Sequence, residues 1–348
     1  MEKIIRVLVV DDSAYVRKVV TQMLSRSPFL EVVGVARDGE EALEKVAELA
    51  PDVVTLDLIM PNRDGVSFLK EQMARKPVPV VIVSIASESG EMALQALDAG
   101  AVDFIQKPTA LATERILEIA DTLVDKVKTA ARVPLHRLRP APVREERPPA
   151  PVPVREGPRR VEIVVIGVST GGPQALKYLI PLLPRDFPVP VAIVMHMPVG
   201  YTEMYARKLD ELAALEVHEA REGLAVRPGT VILAQAGKHL LLQREPDGRV
   251  VAHLDNRPFD TPHRPAVDVL FRSAAETYRK GVLGIVMTGM GSDGLEGAAW
   301  IKSQGGMIFT EAEETCVVYG MPRSVDEANL SDRSVPLFEL AKAIGDVV

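Results

Sequence analysis

Apolar runs and helical patterns alternate through residues 5–127, and this constrains the fold more than any other feature of the sequence. The runs IRVLVV, LEVVGVA, DVVTLDL, PVVIVSI and VDFIQKP are each followed by a stretch whose apolar residues recur at helical spacing. Those stretches are AYVRKVVTQML, EEALEKVAELA, VSFLKEQMA, EMALQALDAG and LATERILEIADTLVDKV. Continuous apolar runs suit strands buried on both faces, as in parallel sheets. Parallel neighbours need long crossovers, and right-handed helical ones give a doubly wound sheet. The pattern predicts a flavodoxin-like α/β domain over residues 1–126.

A second alternation follows. VEIVVIGVS, VPVAIVMH and GVLGIVMTG read as buried parallel strands leading into helices. Between them, VILAQAGKHLLLQREPDGRVVAHL holds two or three short strands around an Asp-Gly turn, which predicts an antiparallel hairpin. Residues 161–348 are therefore expected to form a Rossmann-like α/β domain with a hairpin insert. The intervening segment, ARVPLHRLRPAPVREERPPAPVPVREGPRR, is rich in proline and arginine and poor in large apolar residues. It cannot bury enough surface to offset its ordering entropy, so residues 127–160 are expected to be an extended linker.

Composition narrows the function classes. Aromatic residues make up 4%, so the cores must be built from Val, Leu, Ile, Ala and Met. A net charge of −7 argues against a general nucleic-acid binder. A DNA-reading regulator would need a compact helical or basic element after the linker, whereas the basic residues cluster in the linker itself. The single cysteine, Cys316, excludes an intrachain disulfide and fits a reducing compartment. The N-terminal apolar run is short for a secretory signal, and no run approaches the ~20 residues that span a bilayer. The expectation is a soluble, cytoplasmic protein.

Ligands of doubly wound sheets sit at the carboxyl ends of strands. In the first half those ends carry Asp11, Asp12, Asp57, Ser84 and Lys107. Crowded carboxylates repel one another, and a hard divalent cation such as Mg²⁺ relieves the repulsion with oxygen ligands. Asp57 beside such a metal is placed to attack a phosphoryl donor as a carboxylate nucleophile. Lys107 and Ser84 supply a charge and a hydroxyl to the phosphoryl oxygens. This set, with Asp57 followed by LIMPNRDG and Lys107 by Pro108, resembles a response-regulator receiver domain. The resemblance implies Asp57 as phosphoacceptor, the Ile59 carbonyl as a further metal ligand and Phe104 as an aromatic switch. It also implies a cis Lys107–Pro108 bond.

In the second half Gly167, Ser169 and Gly171 spell G-x-S-x-G between a strand and a helix. That context suits a nucleophile elbow, although glycine-rich strand-to-helix turns also cradle phosphates. His196 ends the next apolar strand, and Asp293 lies in MTGMGSDG directly after another. Three strand ends thus carry a nucleophile, a base and an acid to orient it. The chain order Ser–His–Asp differs from the Ser–Asp–His order of α/β-hydrolases. His218, His239, His253 and His263 are the other candidates for the base.

The segments GVSTGG, HMPVGYT, HRPAVDVLFRSAA, MTGMGSDG and CVVYGMP resemble the catalytic domain of the chemotaxis protein-glutamate methylesterase family. That resemblance implies a triad of Ser169, His196 and Asp293, with Thr170 and the backbone N–H of Met290 at the active site, the latter contributing to the oxyanion region. It implies hydrolysis of glutamyl methyl esters on chemoreceptors, glutamine deamidation by the same acyl chemistry, and a chemotaxis histidine kinase as phosphodonor. No cofactor is implied for the hydrolysis. The alternative is a response regulator whose second domain only binds a ligand.

Overall fold

Each apolar run of the first half becomes a strand; VVTL and VVIVS are buried along their whole length, whereas LEVVGVA, at the sheet edge, is partly exposed. In the computed structural model, which describes residues 3–84, 86–107, 113–135, 161–258 and 260–348, the chain falls into two units, Met1–Arg144 and Glu145–Val348. The first unit runs β1 (Ile5–Val10), α1 (Ala14–Leu24), β2 (Leu30–Ala36), α2 (Gly39–Leu49), β3 (Val53–Leu56), α3 (Gly65–Arg75), β4 (Val80–Ser84), α4 (Ala86–Asp98), β5 (Asp103–Gln106) and α5 (Thr113–Ala130). Its five strands pair in parallel in the order β2-β1-β3-β4-β5. This is the flavodoxin-like order, with its topological switch point between β1 and β3. All four residues of β3 are buried, as a central parallel strand requires.

Helix α5 continues through Ala130, past the boundary at residue 126 expected from composition. Leu123, Val127 and Ala130 lie at helical spacing and are buried, so packing extends the helix into the segment read as linker. Residues 136–160, most of that segment, lie outside the described residues, as does Pro108 of the Lys107–Pro108 bond.

The second unit runs β6 (Ile163–Val168), α6 (Gly172–Leu179), β7 (Val191–Met195), α7 (Thr202–Leu212), β8 (Glu216–Glu219), β9 (Thr230–Leu233), β10 (His239–Arg244), β11 (Val250–Asp255), α8 (Val267–Tyr278), β12 (Val282–Val286), α9 (Leu295–Ser303), β13 (Met307–Glu311), α10 (Met321–Glu327), β14 (Arg333–Val335) and α11 (Leu337–Gly345). Seven strands form one parallel sheet in the order β14-β13-β12-β6-β7-β9-β8. Strand order reverses between β6 and β12, which makes their carboxyl ends the crevice of the domain. The antiparallel hairpin is β10–β11, turning at Asp247–Gly248, while β9 joins the parallel sheet.

The apolar pattern does not announce β8, β13 and β14. EVHE and RSV are short and polar because they form the two sheet edges, half open to water. MIFTE carries Thr310 and Glu311, which read as polar although both are fully buried. Among the described residues no helix is long and apolar enough to cross a membrane.

Candidate functional site

The end of β6 turns sharply into α6. The Ser169 N–H donates to Thr288 O at 2.9 Å, and the Ser169 carbonyl accepts from Gly172 N at 2.7 Å. Gly171 takes φ +82°, and a Cβ there would fall 2.6 Å from Val317 Cβ, so glycine is required on both counts. The hydroxyl-bearing Ser169 is left half-buried at the rim of the sheet, next to the N-terminus of α6. His196 follows β7, and its N–H continues the ladder to Val168 O at 3.1 Å. Val168 is in register with Met195, so Ser169 and His196 leave neighbouring strands at the same level. Asp293 comes from the loop after β12, the strand on the other side of β6.

The His196 ring donates from Nε2 to Asp293 Oδ2 at 2.7 Å. Asp293 also accepts the N–H groups of Val267 (2.8 Å, Oδ2) and Asp268 (2.9 Å, Oδ1) at the start of α8. Burial would raise the Asp293 pKa, but the bond and charge of His196, with those two N–H groups, outweigh it and hold the carboxyl well below its usual range. The carboxylate is therefore ionised at neutral pH and fixes the imidazole tautomer. With Nε2 committed as a donor, the basic lone pair is on Nδ1, which is buried and without a hydrogen-bond partner among the described residues. The serine-hydrolase template uses the two nitrogens the other way round. His263 stacks on His196, ring centroids 4.0 Å apart at 24°, and covers its outer face.

Thr170 is buried, and its carbonyl accepts the Thr288 hydroxyl at 2.9 Å. Met290 is half-buried in the loop after β12. The preceding Gly289 presses against the elbow: a Cβ there would lie 2.8 Å from Ser169 Cβ. The backbone around Met290 is thus held beside Ser169.

The first unit gathers its charges at the β1/β3 switch point. Lys107 Nζ, beyond β5, bridges Asp11 Oδ2 at 2.6 Å and Asp57 Oδ2 at 2.7 Å. Ser84, the last residue of β4, lies 3.3 Å from Asp57 Oδ1, which also accepts the Leu58 N–H at 2.8 Å. Burial raises the Asp11 pKa, and although Lys107 opposes this the nearby Asp57 charge adds to the rise. Burial would lower Lys107, but its two carboxylate partners win and raise it. Oxygens of Asp11, Asp12 and Asp57 lie within 4.8 Å of one another. Three carboxylates against one ammonium leave excess negative charge in a pocket of hard oxygen donors, which fits a divalent cation such as Mg²⁺. Ile59 stands two residues past Asp57, its side chain exposed. Phe104 is buried on β5, in register with Ile82. Gly65 lets α3 start directly behind the Asp57 loop, since a Cβ there would run into the Asp57 carbonyl.

Comparison with known proteins matches these two units to two families. Residues 164–344 match the CheB methylesterase family, and residues 7–120 the response regulator receiver domain. The chain belongs to the CheB methylesterase family. It is 54% identical over 339 residues to a protein-glutamate methylesterase/protein-glutamine glutaminase 5 of Myxococcus xanthus, covering 96% of this chain and 95% of the relative. A Symbiobacterium thermophilum protein-glutamate methylesterase/protein-glutamine glutaminase is 46% identical, covering 99% and 97%. The crystal structure of the Thermotoga maritima CheB methylesterase catalytic domain superposes with a TM-score of 0.53 at 42% identity, covering 54% of this chain and 99% of that one.

Within this CheB fold the remaining histidines have other surroundings. His239 is fully buried on β10, bonded to Pro258 O and Ala266 N, and burial lowers its pKa. It pins the loop before α8. His218 and His253 are exposed and paired with Glu216 and Glu222. The site also includes a residue that no motif singles out. Glu311, fully buried on β13, accepts the Thr288 N–H at 2.9 Å, and Thr288 in turn holds the Ser169 N–H. The available signal was an acidic residue closing an otherwise apolar run.

Proposed function

We propose that this chain is a phosphorylation-controlled protein-glutamate methylesterase that also deamidates glutamine, acting on methyl-accepting chemoreceptors in the cytoplasm. The observation that carries the reading is the ionised Asp293 holding His196 at 2.7 Å, one strand away from Ser169 at the β6/β12 switch point. Ser169 Oγ attacks the ester carbonyl while His196 Nδ1 takes its proton. Asp293 stabilises the imidazolium, and the Met290 N–H with the Thr170 region faces the developing oxyanion. The C–O bond breaks, His196 returns the proton and methanol leaves. A water deprotonated by His196 then attacks the acyl-serine, freeing the glutamate carboxylate and restoring Ser169. An amide carbonyl takes the same course with ammonia as leaving group. No cofactor enters this sequence.

Residues 1–126 act as the receiver, the proline- and arginine-rich segment as linker and residues 161–348 as the hydrolase. Asp57 is the phosphoacceptor and a chemotaxis histidine kinase the donor. Mg²⁺, held by Asp11, Asp12, Asp57 and the Ile59 carbonyl, would neutralise charge on the transferring phosphoryl group. Lys107 pairs with a phosphoryl oxygen, and Ser84 and Phe104 shift with it as the switch. No nucleic acid takes part.

The test is methanol release from methylated receptor by wild type and Ser169→Ala, each with and without a small phosphodonor and Mg²⁺. Release that requires Ser169 and rises with phosphodonor is expected. Release that survives Ser169→Ala would refute the triad. A lack of release, together with a Ser169 inert to active-serine reagents, would favour a binding domain.

A further inference from the structure

Helices α8 and α9 exchange their N-terminal caps. Asp293 accepts the first N–H groups of α8, from Val267 and Asp268. In return Asp268 Oδ1 accepts the first N–H groups of α9, from Gly294 at 2.9 Å and Gly297 at 2.7 Å. Neither helix caps itself: Ala266 and Gly294 hold the N-cap positions, and neither offers a side-chain acceptor. The helices are pressed together there, since a Cβ on Gly297 would lie 3.0 Å from Asp268 Cα and 2.5 Å from Phe271 Cβ. The loop that carries Asp293 is thus tied to α8 by hydrogen bonds running both ways.

A carboxylate at a helix N-terminus is ordinary. Here the two interlock: Asp293 Oδ1 takes the Asp268 N–H at 2.9 Å, and Asp268 Oδ1 takes the N–H of Gly294, the residue next to Asp293, at 2.9 Å. Asp293 has His196 as a cationic partner, whereas among the described residues Asp268 has no ion pair. Two bare carboxylates so interlocked repel, and one shared proton turns the repulsion into a hydrogen bond. His196 claims the anionic form of Asp293, so the proton belongs on Asp268.

We propose that Asp268 is a positioning residue for the hydrolase: it carries a proton toward Asp293 and, together with the α9 N–H groups, fixes the carboxylate that orients His196. This rests on reading Ser169, His196 and Asp293 as the triad. Burial pushes the Asp268 carboxyl up, the Gly297 N–H opposes that, and the charge and hydrogen bond of Asp293 carry it above the ordinary carboxylate range. Asp268 also lines an open groove of about 910 Å³, through which it exchanges protons with water. The other charged groups there are Arg272 and Glu276 of α8, Glu296 of α9, and Arg257, Asp260 and His263 from the loop before α8. Arg272 bonds Glu276 and stacks over Trp300, and Arg257 pairs with Asp255.

Asp268→Asn and Asp268→Ala in the full-length chain separate this role from a structural one. The amide keeps an oxygen for the two α9 N–H groups and puts an N–H where the shared proton points; alanine removes both. In methanol release from methylated receptor, Asp268→Ala should lose about 10²-fold in kcat with little change in KM, the usual effect of a misplaced catalytic group. Asp268→Asn should keep near wild-type kcat at neutral pH. It should also lack an inflection that the wild-type kcat profile shows where Asp268 gives up its proton beside Asp293. Wild-type kcat in Asp268→Ala, or an Asp268→Asn as slow as the alanine variant, overturns the proposal. Should the alanine variant fail to fold, the asparagine profile decides, and an unchanged inflection overturns it. Ser169→Ala is run alongside. Activity surviving there overturns the triad reading and this role with it; an inactive Ser169→Ala beside a fully active Asp268→Ala overturns this role alone.

Discussion

Asp293→Asn removes one charge and almost no volume, and its consequences can be worked from the hydrogen bonds. Of the imidazole and backbone donors, Asp293 Oδ2 serves two, His196 Nε2 and Val267 N, and Oδ1 serves one, Asp268 N. If the amide oxygen takes the Oδ2 place, two bonds survive and the new NH₂ meets the Asp268 N–H. Leaving that buried donor unpaired costs about 1–3 kcal/mol. If the NH₂ takes the Oδ2 place, two donors are opposed, and His196 must move its proton to Nδ1, where the base is needed. The first rotamer is less costly, yet it still faces the imidazolium with a neutral group. Losing that attraction costs on the order of 4 kcal/mol at an effective dielectric of ~20 and ~4 Å. This is about 10³-fold in rate, reaching about 10⁴-fold where the wrong tautomer is populated. The lost bond should lower the melting temperature by about 2–10 °C for a unit of this size, so the variant is folded at 25 °C. Methanol release under saturating substrate, with circular dichroism melting on the same sample, measures both. A folded Asp293→Asn with kcat within tenfold of wild type would refute the tautomer argument.

Three further outcomes follow from the structure. Asp57→Asn, or chelation of Mg²⁺, should abolish stimulation by phosphodonor while leaving the basal Ser169-dependent rate; for a coupling of 1–3 kcal/mol the stimulation lost is about 5- to 150-fold. Gly65→Ala forces a Cβ against the Asp57 carbonyl and to 2.9 Å from Leu58 Cα, and should destabilise the receiver by about 1–3 kcal/mol in urea unfolding. An unchanged midpoint would mean the loop gives way freely. Tyr278, raised by burial from 10.0 to about 12, favours its neutral form in the folded state. Stability it contributes is intact below pH 10 and lost as pH rises through about 12, so Tyr278→Phe should flatten the unfolding midpoint across that window.

Much of the fold was legible because the signals are local. A strand buried on both faces advertises itself as a short apolar run, and five such runs with helices between them leave few topologies. The same logic put Asp11, Asp57, Ser84 and Lys107 in the first half and Ser169 and His196 in the second at strand ends, since a polar residue that stops a buried strand falls at its carboxyl end; Asp293 lies further on, in the loop after β12. Where strands lie at a sheet edge or contain buried polar residues, as in β8, β14 and β13, the pattern fades. The continuation of α5 to Ala130 was hidden for a similar reason, because Ala130, past the helical run that ends at Val127, looks like the start of a polar linker until the core that buries it is in place.

The groups that act through others were not legible. Glu311 holds Thr288 behind Ser169, and Asp268 interlocks with Asp293, while His263, named in the sequence as a candidate base, stacks on the His196 ring instead. Each pairing joins residues from different elements, and no period or spacing connects them. The sequence by itself determined two parallel α/β units and the residues that end their strands, because burial on two faces and a turn at a strand end are properties of a few neighbouring residues. Only the tertiary structure decided which strands are neighbours, and so which strand ends meet. It also decided that His196 gives Nε2 to Asp293 and leaves Nδ1 without a hydrogen-bond partner among the described residues. That choice depends on where the N-terminus of α8 holds the Asp293 carboxylate, a position set by packing of α8 against α9 across β12.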